Sequence, residues 1–206
     1  MNAEGLARKL LSEPEYREMS RALELLKARQ YEILYNGYGD TINAMLLVDS
    51  YDEFVDWLND SEASAEEAAF RAEEFIVSFL RTSGKGADVG GWEGGLQDKL
   101  GALLKAVRSD SSEGGTGGDL SLQPCIRTLL EQEIFTDFDG EDNFRDCVLQ
   151  LNELLDPFGL KLVVFFSDNY WAAGYFIILV ARGFAEGVLK DWSDKRSGWA
   201  LAWCDA

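Results

Sequence analysis

Histidine is absent from this chain of 206 residues. Its absence removes the commonest general base, every Ser-His or Cys-His nucleophile pair and most zinc sites. Cations are scarce too, with 19 Lys and Arg against 37 Asp and Glu, a formal net charge of -18. Nucleic-acid backbones and anionic membranes are drawn to clustered Lys and Arg, so direct binding to either is not expected. Cysteine is limited to Cys125, Cys147 and Cys204, an odd number that cannot all pair. Their surroundings resemble core positions, which predicts free thiols in a reducing cytoplasm. Long apolar runs are also lacking. The longest, Trp171 to Ala181, is about half of the ~20 residues that a helix needs to cross a bilayer. The opening Met1-Asn2-Ala3-Glu4-Gly5 has neither the basic flank nor the apolar core of a secretory signal, which again points to the cytoplasm.

What is present is ample core material, 47% hydrophobic and 12% aromatic, and a pattern that occurs twice. Laying Ala22–Asp60 over Leu151–Trp192 aligns Glu24-Leu25-Leu26 with Glu153-Leu154-Leu155 and Tyr31–Tyr35 with Leu160–Val164, both at an offset of 129. Leu46-Leu47-Val48 then aligns with Ile178-Leu179-Val180 at an offset of 132, as an insertion in a connecting loop would produce. The repeated unit reads helix, strand, loop, strand, helix.

In chain order, Gly5–Leu11 predicts a short helix. Ser12 opens a second, with Pro14 in its first turn, Glu15 completing a capping box and a stripe at Tyr16, Met19, Leu23 and Leu26. A first hairpin is expected over Tyr31–Tyr35 and Ile42–Val48, turning at Gly37-Tyr38-Gly39-Asp40. Ser50 and Glu53 box a short helix that presents Asp52, Asp56 and Asp60 on one face. Ser64 and Glu67 box an Ala-rich helix to about Leu80, with a narrow apolar stripe at Ala68, Ala72, Phe75 and Phe79. Leu96–Val107 predicts another helix. Ser109–Gly118, rich in glycine and serine, is the best linker. Helices are expected at Ile126–Ile134 and again through Phe144, Cys147, Val148, Leu151, Leu154 and Leu155, ended by Pro157-Phe158-Gly159. A second hairpin, Leu160–Phe166 with Gly174–Ala181, is apolar on both faces and should be covered on both. A helix to about Lys190 follows, and alternation at Trp199, Leu201 and Trp203 predicts a terminal edge strand.

Two motifs fail on inspection. The glycines from Gly84 to Gly95 contain no Gly-x-x-x-x-Gly-Lys-Ser/Thr and their single Lys precedes most of them, which argues against a phosphate loop. Asp137 to Asp146 fits a calcium loop with Gly140 in sixth place, but Phe135 then occupies the first position, where a carboxylate is required.

Acidity is concentrated in two segments. Asp49–Glu74 holds ten carboxylates against Arg71 alone, a net -9, and Glu131–Asp146 holds seven against Arg145, a net -6. Charge this dense repels itself, and a basic partner would offset the repulsion and be steered in quickly. The expected fold is α+β, two related lobes, each a hairpin packed by helices: residues 1–108, a linker at 109–119 and residues 120–206. The expected function is a non-enzymatic protein that binds and inhibits a basic partner, such as a toxin, a nuclease or a nucleic-acid-binding protein, in one version as a DNA mimic. The partner-binding residues would be Asp52, Asp56, Asp60, Glu66 and Glu67, joined by the hairpin-loop residues Tyr38, Asp40, Asp168, Tyr170 and Trp171. No cofactor is expected. The alternative is a carboxylate-dependent metal hydrolase with Asp137, Asp139, Asp142 and Asp146 as ligands, and a third is a small-molecule sensor between the lobes.

Overall fold

A computed structural model describes residues 1–28, 30, 33, 65–89, 99–103, 141–167, 174–192 and 200–201. The chain divides into two compact units, Met1–Ser83 with Ser193–Gly198, and Gly84–Trp192 with Trp199–Ala206.

The first unit is helical wherever it is described. Helix α1 (Ala3–Leu10) starts two residues earlier than the hydrophobic pattern suggests, because Asn2 caps it by accepting from the Gly5 N–H at 3.0 Å. Helix α2 (Glu13–Lys27) has the expected capping box, with Glu15 accepting from the Ser12 N–H at 2.7 Å and from the Ser12 hydroxyl at 2.6 Å. Its inner face is Met19, Ala22, Leu23 and Leu26, and Arg8 of α1 lies over the Tyr16 ring at 5.4 Å. Helix α3 (Ala65–Thr82) packs on both.

Phe75 and Phe79 of the expected α3 stripe are buried, and burial extends to every residue from Glu74 to Leu80, so the covered surface there is wider than a stripe. One expectation is corrected here. Ile33, centre of the expected strand Tyr31–Tyr35, is helical and 55% exposed. The remainder of the first hairpin, the Asp52–Asp60 helix, the linker and Ile126–Ile134 lie outside the described residues.

The second unit is a four-stranded antiparallel sheet in the order β1-β3-β2-β4, which makes the molecule α+β. Helix α4 (Glu141–Leu155) buries Phe144, Cys147, Val148, Leu151 and Leu155 at the expected spacing. A 3-10 turn over Asp156–Phe158 and Gly159 at φ 68° then redirect the chain, and only glycine takes that left-handed backbone without strain. Strands β2 (Leu160–Ser167) and β3 (Gly174–Ala181) pair along their whole length, from Leu160 opposite Ala181 to Ser167 opposite Gly174. Helix α5 (Arg182–Asp191) follows directly, its first N–H bonded to the Gly159 carbonyl at 2.8 Å. The terminal strand is present as β4 (Ala200–Leu201), beside Phe165 and Phe166 at the β2 edge.

Strand β1 (Ala87–Val89) was not legible in the sequence. It pairs with Tyr175–Ile177 at the other edge. Just ahead of it, Gly86 has the Phe176 ring where a Cβ would stand. Lys99, at the head of the helical residues 99–103, donates to the Asp88 carbonyl.

Candidate functional site

The best-formed surface feature among the described residues is the loop end of the β2–β3 hairpin. Opposed residues share a sheet face and successive residues alternate, so Phe165 and Phe176 lie on one face and Phe166 and Tyr175 on the other. On the first face Phe165 stacks against Phe176 at 6.2 Å and against Trp192, just past α5, at 4.7 Å. On the second, Tyr175 meets Phe144 of α4 at 4.5 Å and Phe166 at 5.4 Å. Both faces of this sheet are therefore covered by a helix, as its two-sided apolarity predicts.

The second face grades from core to solvent. Phe144 is buried, Tyr175 is half-buried and Phe166 is 39% exposed. Both rings of the outer pair flank the connection 168–173, where Asp168, Tyr170 and Trp171 are found in the sequence. The Phe144 contact also ties the first turns of α4, the end of the acidic stretch Glu131–Asp146, to this end of the sheet. The aromatic and acidic residues expected at the loop tip do not include Phe166 and Tyr175. Their signal was an aromatic at each strand end next to the loop.

Asp168, Tyr170, Trp171, Tyr38, Asp40, Asp52, Asp56 and Asp60 all lie outside the described residues. Glu66 and Glu67 lie on helical backbone at the start of α3. Further along that helix Glu74, the last carboxylate of the acidic segment Asp49–Glu74, is 8% exposed and belongs to the interior.

Chemistry is sparse elsewhere. Cys147 is a buried thiol, and burial, with help from the Asp146 carboxylate, pushes it from 9.0 up to about 11. It stays protonated at neutral pH, which suits a core residue and not a nucleophile. Among the described residues no group of three acidic or thiol side chains could hold a metal ion. Of the proposed ligands, Asp142 and Asp146 are on α4, while Asp137 and Asp139 lie outside the described residues. No helix among the described residues is long and apolar enough to cross a membrane. Comparisons of the chain with protein-family models, with curated proteins and with solved structures each return no match.

Proposed function

We propose that the chain is a non-enzymatic, acidic interaction protein that occupies and inhibits the basic surface of a partner protein, such as a toxin or a nuclease, in the cytoplasm. The observation that carries this is the segregation of charge. Two short segments hold -15 of the net -18, and one of them contains a single cation among ten carboxylates. A solvated surface needs mixed charge, whereas a field of one sign raises the association rate with a partner of the other. The absence of histidine is consistent with binding as the task.

A pull-down from native lysate, eluted with a salt gradient, tests the proposal. A basic protein released at moderate salt supports it. Divalent-metal-dependent hydrolysis by the purified chain with no captured partner would favour the metal hydrolase instead.

The two related lobes form part of the same proposal. In support, α2 and α4 are each 15 residues long, and Met19, Ala22 and Leu26 in the first correspond at the offset of 129 to Val148, Leu151 and Leu155 in the second, all buried. Helical Ile33 stands against the strand part of the correspondence. Backbone chemical shifts over Tyr31–Tyr35 and Ile42–Val48 decide it. Helical values in both stretches would end the duplication.

A further inference from the structure

We propose that the loop end of the β2–β3 hairpin is the part of this surface that takes an arginine side chain of the partner, stacked on the exposed ring of Phe166. The inference rests on the acidic-binder reading and adds to it which cation is preferred and where it sits. Phe144, Tyr175 and Phe166 form a row of contacting rings, at 4.5 Å and 5.4 Å, whose inner member is buried and whose outer member is 39% exposed. The inner members lock the outer ring in place, so little side-chain freedom is lost when a second plane is laid against it. An aromatic face is electron-rich, and the net charge of -18 makes a cation the complementary occupant. Among cations, guanidinium is planar, weakly hydrated and able to stack while its N–H groups remain free for carboxylates, whereas the ammonium of lysine is compact and strongly hydrated. Phe144 stands in the first turns of α4, whose residues Glu141, Asp142 and Asp146 end the acidic stretch in the sequence. The chain already makes this contact internally, with Arg8 over the Tyr16 ring.

The test uses the full chain with two probe peptides of equal charge, an arginine nonamer and a lysine nonamer, titrated at two salt concentrations. Wild type should prefer arginine, and Phe166→Leu, which stays apolar but loses the ring, should cut that preference by about two- to five-fold. Its salt dependence and melting temperature should not change. Asp52→Asn, Asp56→Asn and Asp60→Asn together should instead weaken both peptides and flatten the salt dependence. An arginine preference identical in wild type and Phe166→Leu overturns the Phe166 site and leaves the acidic reading standing. Failure of both peptides to bind wild type overturns the acidic reading and the site with it.

Discussion

At the scale of single residues, burial decides more than residue type. Cys147 could be taken for a nucleophile in a chain without histidine, but its raised pKa has a different consequence, for stability. Below pH 9 the thiol is protonated in both folded and unfolded chains and its contribution is constant. Between about 9 and 11 the unfolded chain loses the proton while the folded chain keeps it, so stability falls as pH rises. The loss is on the order of 3 kcal/mol at most. Cys147→Ala should lose less stability than wild type between pH 9 and pH 11, as measured by chemical denaturation. Parallel curves would show that the thiol titrates normally. In the native chain at neutral pH, Cys147 should also react with an alkylating reagent only as fast as the core opens.

Among secondary-structure elements, legibility followed length and period. Helix α4 repeats its apolar positions over four turns, and β2 and β3 are eight-residue, largely apolar strands on either side of a short loop, so all three were readable. Strand β1 is three residues among glycines, too short for any alternation, and exists because the β3 edge offers partners to its backbone. At Ile33 the expected strand gives way to helical backbone at an exposed position, where no burial holds a strand in place. Of the candidate site, the sequence marked the 168–173 loop by its aromatic and acidic residues, but ring contacts between strand neighbours and with α4 require the register.

The register also exposes an edge, and Asn152 closes it. Its side chain donates to the Leu162 carbonyl at 3.1 Å and accepts the Leu162 N–H at 2.7 Å, supplying the bonds that a neighbouring strand would make there. Asn152→Leu keeps the size and removes both bonds. It should cost about 1–3 kcal/mol, read as a lower denaturation midpoint with unchanged slope. Freed edge groups should also make the variant associate in a concentration-dependent way. A variant as stable and as monodisperse as wild type would show that water serves Leu162 equally well.

At the scale of the whole molecule, charge dominates. With -18 on 206 residues the folded chain repels itself. Adding salt from 0.01 M to 0.15 M shortens the screening length from about 30 Å to about 8 Å. The melting temperature should rise over that range, and it should rise less in the Asp52, Asp56 and Asp60 triple Asn variant. A melting temperature that falls with salt would mean that the acidic segments are already paired within the chain.

The pairing of β1 with β3 sets an order of events during synthesis. Ala87 meets Ile177 across some ninety residues of chain, while β2 and β3 meet across a short loop. On the ribosome β1 emerges long before its partner and waits unpaired, so the hairpin forms as a unit and β1 joins last, at the entropic cost of closing a long loop. A gene split within the Gly/Ser-rich stretch 109–119 would put β1 on one polypeptide and β2 and β3 on the other. Coexpressed, the two pieces should copurify through that ladder, and each made alone should be prone to aggregate, the second piece because the β3 edge is left bare.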